Sequence, residues 1–557
     1  MFSRIFILLS LLLAPLATVQ AKGGMVTAAN KRAAQAGQEM LRAGGSATDA
    51  AMAMMLTLGV VEPQSSGIGG GGFLVHHDGK TSMIATIDGR ETAPAAARPD
   101  RFLGADGKPL AFSDAYPGGL SVGVPGNIAL MARAHARWGK LPWARLFQPA
   151  IRIAEKGYMV TPILASRLAM MQTVWADFPE ARALYWQDGA PKKVGDTVRN
   201  PELAKTLRRI AVGGPDEFYK GRTAHAISDA VAAAPRHPAA LTLDDLAAYH
   251  VQERPAVCTR YRVWKICSMG PPSSGATTVL GILGILEHFD LKRLGKSSPV
   301  AWHLIGEAMQ LAYADRGLYL GDADFVPVPV AGLLDPAYLA SRAKLVSPDR
   351  TLADYLPGNP PGAAPRAALP APPEHGTTHF VAVDRSGNVD TMTSTVEGPF
   401  GSQLLADGMI LNNELTDFSF APQRGGAPAA NRIEPGKRPL SSMAPTIVYD
   451  AQDKVVLALG SAGGKQIIMH VTRTLIGVLD WGLDIGDAVA LPNIFFRDRT
   501  LLVEEGSALH DMIPALTALG HSVAPATLGS KVNAIQRTPT GWRGAADPRS
   551  EGVTLGE

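Results

Sequence analysis

Cysteine is almost missing from this 557-residue chain, and the two that occur exclude a disulfide-built scaffold and any four-cysteine metal site. An excess of charge of one sign is missing too. Lys and Arg number 53 against 50 Asp and Glu, a net +3, and the 18% of charged residues are not grouped by sign. That argues against a nucleic-acid footprint or a polybasic membrane patch. No uninterrupted apolar run, the N-terminal one included, reaches the roughly 20 residues that a bilayer span needs. What is there is an ordinary globular composition, 46% hydrophobic and rich in Ala and Gly. At about 150 residues per domain the length allows three or four domains, or fewer large ones.

Residues 1–21 read as a secretory leader: a basic start at Arg4, an apolar run over 5–13, then Ala14-Pro15 and small residues at Val19 and Ala21. This predicts a periplasmic or secreted protein without a membrane span after leader removal, and no Cys follows to carry a lipid. Cys258 and Cys267 flank T-R-Y-R-V-W-K-I, strand-like residues around a possible tight turn. A bridge across a hairpin suits an oxidising compartment, two unpaired thiols are the alternative, and neither reading makes them catalytic.

From 25 to 60 the spacing of Ala, Met and Leu is helical, broken at Gly44-Gly45 and capped at Ser46 or Thr48, so two helices are expected to open the fold. A glycine-rich stretch, 67–72, precedes strand-like 73–77 and 82–88 around a D-G turn, which predict a hairpin. Residues 127–345 read as mostly helical. Residues 356–374, rich in Pro and Ala without apolar periodicity, read as an exposed linker. Beyond it, 378–383 and 389–395 alternate as strands about D-R-S-G-N. The class expected is α+β, a layered globule.

Several motifs fail on context. Gly67 to Gly72 satisfies G-x-G-x-x-G, but no strand precedes it and no helix follows. Gly119-Leu120-Ser121-Val122-Gly123 has the nucleophile-elbow pattern without a buried strand before it. Gly295-Lys296-Ser297 lacks the upstream glycine of a phosphate loop, and His76-His77 has no carboxylate at ligand spacing. No cofactor or metal is expected.

The junction Gly376-Thr377-Thr378-His379-Phe380 lies where linker meets strand. If the peptide after Gly376 is broken, Thr377 gains a free α-amine beside its own hydroxyl. Such an amine, with an ordinary pKa of about 7.7–8.0, is a competent base near neutral pH. Nucleophile and base then share one residue. By itself a Thr-Thr pair is an ordinary strand start.

The ordered motifs V-E-P-Q-S-S-G-I-G-G-G-G-F (61–73), D-G-R-E-T-A-P (88–94), G-V-P-G (123–126), G-P-P-S-S-G (270–275), A-Y-A-D-R (312–316), G-T-T-H-F (376–380), L-N-N-E-L-T-D-F-S (411–419), G-K-R-P-L-S-S-M-A-P-T (436–446), G-S-A-G-G (460–464) and D-P-R-S (547–550) run through nearly the whole chain. In these the chain resembles the γ-glutamyltransferase (glutathione hydrolase) family of N-terminal nucleophile hydrolases. The resemblance implies a four-layer αββα sandwich with a large helical portion. It also implies a precursor that cuts itself at Gly376/Thr377 into a large subunit, 22–376, and a small one, 377–557, which stay associated. Thr377 would be the nucleophile, Thr395 would orient it, and Gly463 and Gly464 would offer N–H groups to the oxyanion. Arg90 would clamp the α-carboxylate of a γ-glutamyl donor with Ser441 and Ser442, while Glu414 and Asp417 would hold its α-ammonium. The acceptor would be water, an amino acid or a dipeptide.

Two departures bear on specificity. Glu397 stands where typical members carry Asn, adding a carboxylate beside the ammonium site. The segment between Phe420 and Lys437 is short and has no Tyr, which predicts a more open pocket and hydrolysis dominating over transfer. An acylase for glutaryl or cephalosporin-type amides is the alternative of the same architecture, although the acids at 397, 414 and 417 suit a cationic donor. An uncleaved binding scaffold is the alternative from another class.

Overall fold

A computed structural model describes residues 18–367 and 376–557. Most of the expected leader, residues 1–17, and most of the linker's second half, 368–375, lie outside the described residues. Two seven-stranded sheets stack face to face. In the first, the order is Val553–Gly556, Met25–Ala28, Thr378–Val383, Val389–Thr395, Gly71–His77, Ile84–Gly89, Gln252–Arg254. The second runs Val19–Ala21, Gly541–Ala546, Asn533–Thr538, Val455–Gly460, Thr446–Tyr449, Trp264–Ser268, Val257–Tyr261.

Helices cover both outer faces. Lys31–Arg42 and Ala47–Val61 pack on the first sheet, and Gly275–Leu286 and Gln466–Leu479 on the second, which gives four layers, αββα. The apolar core divides accordingly, one part under the first helical layer and one between the sheets and the second layer. The expected α+β sandwich is observed. Both halves of the chain contribute strands to both sheets, so neither half has a complete core without the other.

Ala47–Val61 begins where the sequence places a cap. Ser46 Oγ accepts from the Asp49 N–H (3.1 Å) and Asp49 Oδ2 accepts from the Ser46 N–H (2.8 Å), a reciprocal box that satisfies two otherwise unpaired donors. The helical reading of 25–60 needs one correction: Met25–Ala28 is a strand, not helix. It is buried throughout and pairs with Thr378–Val383 on one side and Val553–Gly556 on the other, so sheet pairing overrides a weak local periodicity. The linker is also less exposed than expected, since Pro360 is buried and Gly358 N–H donates to Asp315 (2.7 Å). Cys258 and Cys267 are directly opposite across the hairpin and form a disulfide.

The strand Thr378–Val383 decides where the site lies. Its antiparallel register with Val389–Thr395 pairs Val383 with Val389 and Thr378 with Ser394. One further step along that register brings Thr377 opposite Thr395. Thr395 in turn pairs with Gly71 of the neighbouring strand. The glycine run before that strand is a packing device rather than a phosphate cradle: a Cβ on Gly70 would run into the Thr395 carbonyl oxygen. Gly70→Ala is expected to destabilise the fold by about 1–3 kcal/mol through overpacking, read as a lowered chemical-denaturation midpoint.

Candidate active site

Thr377 emerges at the buried start of the central strand, with its Oγ–H directed to Thr395 Oγ at 3.3 Å. Thr395 Oγ also accepts the backbone N–H of Glu397 at 2.8 Å, which fixes its lone pairs and hence the direction of the Thr377 hydroxyl. The Thr377 N–H donates to the carbonyl of Ser65 (3.1 Å). The nitrogen that cleavage would turn into an amine is therefore already held next to its own hydroxyl. Thr377 has φ +86° and Gly376 φ +77°. The left-handed region is costly for a β-branched residue, so backbone strain is concentrated at this junction. At Gly376 no side chain would fit, because a Cβ would meet the Glu397 carbonyl oxygen.

A cavity of about 10 Å³ is lined by Arg90, Thr377, Thr395, Glu397, Glu414, Asp417, Ser441, Ser442, Met443, Gly464 and Ile467. Nine of the residues proposed from sequence thus meet in one place. Gly463 and Gly376 face instead an adjoining cavity of about 540 Å³, with Ser65, Arg167, Lys531 and Arg549 among its walls. The nucleophile lies between a small polar recess and a roomy, cation-lined entrance. No histidine lines the recess among the described residues. The nearest in sequence, His379, is fully buried on the strand, bonded through Nδ1 to Thr393 Oγ1 (2.8 Å), and burial holds its pKa down to about 3.

Gly463 and Gly464 follow the strand Val455–Gly460 and precede the helix Gln466–Leu479. Their φ values are +127° and +58°. Neither N–H has a hydrogen-bond partner among the described residues. Unpaired donors at a helix N-terminus suit a developing negative charge.

The electrostatic centre is Arg90, 1% exposed. Its guanidinium bonds to Glu414, to Asp417 Oδ2 (2.6 Å) and to the carbonyls of Pro439 (3.1 Å) and Leu440 (2.8 Å). Burial opposes the charge on Arg90, but Glu414 and Asp417 outweigh it and hold its pKa above the ordinary value. The anticipated carboxylate clamp and ammonium clamp are thus in contact with each other. Glu397 lies in the same recess, and its Oε2 accepts from Asn413 Nδ2 at 2.6 Å, which draws its charge toward that amide. Ser442 Oγ accepts from Arg316 (2.7 Å) and Ser441 Oγ from the Met443 N–H (3.2 Å). With those lone pairs engaged, each hydroxyl proton is available to an anionic group.

Sequence reasoning assigned no role to Glu91, Ser65, Arg316 or Lys531, although the first three lie inside motifs it singled out. Glu91 is wholly buried beside Arg90, and burial pushes its pKa up to about 7 against the opposing pull of Arg90. Burial likewise raises Glu414 well above the carboxylate range despite its contact with Arg90. Lys531 Nζ bonds to Ser65 Oγ (3.1 Å) and Glu62 (3.3 Å), bracing the loop whose carbonyl holds Thr377. A backbone carbonyl's role cannot be read from residue identity.

Two stacked sheets between helical layers form the four-layer sandwich of the N-terminal nucleophile hydrolases. Comparison with known proteins narrows this. The pattern of the family described as gamma-glutamyltranspeptidase matches residues 33–556. A glutathione hydrolase proenzyme of Bacillus subtilis (strain 168) is 38% identical over 96% of this chain and 92% of its own length. One from Escherichia coli (strain K12) is 38% identical over 96% and 91%. Among solved structures, a cephalosporin acylase from Bacillus halodurans superposes with TM-score 0.87 at 26% identity, covering 99% of both chains. The gamma-glutamyltranspeptidase of Helicobacter pylori does so with TM-score 0.56 at 35% identity, over 58% of this chain and 92% of its own. The chain belongs to the gamma-glutamyltranspeptidase family and is an enzyme of that type.

The raised pKa of Glu91 has a sign that can be checked. Its folded pKa lies above the unfolded value, so the folded state retains a proton that the unfolded chain releases between about pH 4.3 and pH 7. Stability is expected to fall as pH rises through that window. In Glu91→Gln the decline between pH 5 and pH 7 should be shallower, as measured by denaturant midpoints at each pH.

Proposed function

We propose that this protein is a self-cleaving γ-glutamyl hydrolase/transferase for glutathione and related γ-glutamyl amides, with Thr377 as its nucleophile. The observation that carries the reading is the joint placement of Thr377, Thr395, unpaired Gly464 and the Arg90–Glu414–Asp417 cluster around one recess. In maturation, the Thr377 hydroxyl adds to the Gly376 carbonyl carbon, the peptide C–N bond breaks, and the ester so formed is hydrolysed. The products are residues 22–376 and 377–557, interleaved in both sheets, and the strained φ at Thr377 ceases to be a peptide torsion once the bond is gone. That relief favours the cut.

In turnover, the freed amine, positioned by Ser65, takes the hydroxyl proton as Oγ attacks the γ-carbonyl of the donor. Gly463 and Gly464 bear the oxyanion charge, and the amine returns the proton to the leaving amine. Water or an amino-acid or dipeptide acceptor then attacks the γ-glutamyl ester. A recess of about 10 Å³ holds little more than a water, so donor binding must part Arg90 from its carboxylates. The zwitterionic end of a γ-glutamyl group can do this by exchange: its α-carboxylate takes Arg90, Ser441 and Ser442, and its α-ammonium takes Glu414 and Asp417. Met443 and Ile467 supply apolar contact for the methylenes. A glutaryl donor has no ammonium to satisfy the released acids, which disfavours the acylase reading despite the likeness to the Bacillus halodurans enzyme. The leader-like residues 1–21 and the Cys258–Cys267 disulfide support a periplasmic or secreted location, and no helix among the described residues is long and apolar enough to cross a membrane.

Thr377→Ala is expected to give a single uncut band on a denaturing gel and a loss of γ-glutamyl-p-nitroanilide hydrolysis of more than about 10³-fold; two bands with retained turnover refute the assignment. The hairpin Gln423–Arg424 with Ala427–Pro428 pairs over only two residues a side, and a cavity of about 540 Å³ lined by Gly376 and Gly463 opens beside Thr377. Glycylglycine is therefore expected to raise p-nitroaniline release only slightly, and a large acceptor-dependent stimulation contradicts the dominance of hydrolysis.

A further inference from the structure

On the outer helical layer, Pro299–Tyr319 presents His303 and Glu307 one turn apart on one face, where side chains at i and i+4 stand together. His521, just ahead of the strand Ser522–Ala526, closes on them from the C-terminal half of the chain. All three are buried, and their ligating atoms lie within 4.8 Å of one another. His303 Nδ1 is 2.7 Å from His521 Nε2. On the far side of its ring, His303 Nε2 is 2.7 Å from the Ser347 carbonyl. A carbonyl only accepts, so Nε2 carries the proton and Nδ1 presents its lone pair toward His521 and Glu307. Locking a histidine tautomer through a backbone carbonyl is what orients a metal-ligating imidazole.

Glu307 completes the arrangement. One of its oxygens accepts from the Tyr355 hydroxyl and the other from the Leu352 N–H (2.9 Å), which leaves a lone pair on each. Among the described residues no Lys or Arg pairs with it, although it is fully buried. A buried carboxylate without a cation, beside two imidazoles with one tautomer fixed, lacks one thing: a compact positive charge that takes nitrogen and oxygen ligands.

We propose that His303, Glu307 and His521 form a binding site for a divalent transition metal, with zinc the ion that this ligand set suits best. Two histidines and one carboxylate form a recognised zinc-binding set. Tetrahedral bonds of about 2.0–2.1 Å separate two ligand nitrogens by about 3.4 Å. The ion therefore replaces the shared proton between the imidazoles, and His521 moves outward by about 0.6 Å. His303 and Glu307 precede the Gly376/Thr377 junction and His521 follows it. A bound ion would thus connect the two halves across the outer layer, away from the recess at Thr377. The proposal is independent of the γ-glutamyl reading.

The test uses the full-length protein, stripped with EDTA and dialysed against metal-free buffer, then titrated with Zn²⁺ by calorimetry and with Co²⁺ by absorption spectroscopy. One equivalent of zinc per chain, a four-coordinate Co²⁺ spectrum and a zinc-dependent rise in Tm are expected. Glu307→Gln and His521→Asn should each weaken zinc binding more than about 100-fold. Absence of stoichiometric binding in the unaltered protein overturns the proposal, as does unchanged binding in either folded variant. Should a variant fail to fold, X-ray absorption on the unaltered zinc form decides: two imidazoles and an oxygen donor support the site, and a shell without imidazole refutes it.

Discussion

The pairing of Thr378–Val383 between Met25–Ala28 and Val389–Thr395 is the constraint from which the site follows. A strand held on both edges cannot slip by one residue without turning its buried face outward, so the position of Thr377 opposite Thr395 is fixed by the whole sheet rather than by local contacts. The flanking glycines follow from the same closeness, since Gly70 and Gly376 each lie against a carbonyl oxygen where no side chain fits. Because both halves of the chain thread through both sheets, a cut between residues 376 and 377 would release strain at the junction while leaving every strand pair intact.

The second organising force is unequal charge in a space that excludes water. Glu91, Glu414, Asp417 and Glu397 are gathered around or near a single guanidinium. Ionising Glu91 and Glu414 together would crowd negative charge beside that guanidinium at low dielectric, and burial answers by raising the pKa of both. In the proposed reading, a zwitterionic ligand would resolve the imbalance by bringing an ammonium to the acids and a carboxylate to the arginine. Recognition and electrostatic relief would then be the same event, and a donor with only one of the two charges would obtain only half of it.

Much of this architecture was legible beforehand. The strands 378–383 and 389–395 alternate so regularly, about so clear a turn, that their observed limits match the expected ones. The capped helix after Gly44-Gly45 was equally plain, because caps are local, while the cysteines were left open between a bridge and two thiols until the hairpin register set them opposite each other. Met25–Ala28 was misread as helix because four residues carry too little periodicity to compete with an Ala-rich continuation, and their partners lie more than 350 residues away. The carbonyl of Ser65, the brace from Lys531 and the raised pKa of Glu91 had no sequence signature at all.

By itself the amino-acid order determined which chemistry is available: a threonine after a glycine at the edge of a strand, two glycines before a helix, one arginine and a set of acids and hydroxyls in separate motifs. Such features depend on residue type and short-range spacing, which a chain carries with it into any fold. Only the tertiary structure decided that these groups share one recess, that Arg90 closes on Glu414 and Asp417 rather than standing apart from them, and that the wide entrance lies on the Gly463 side. Those outcomes depend on distances between residues hundreds of positions apart and on the removal of water around charges, and both come into being only when the two sheets have closed.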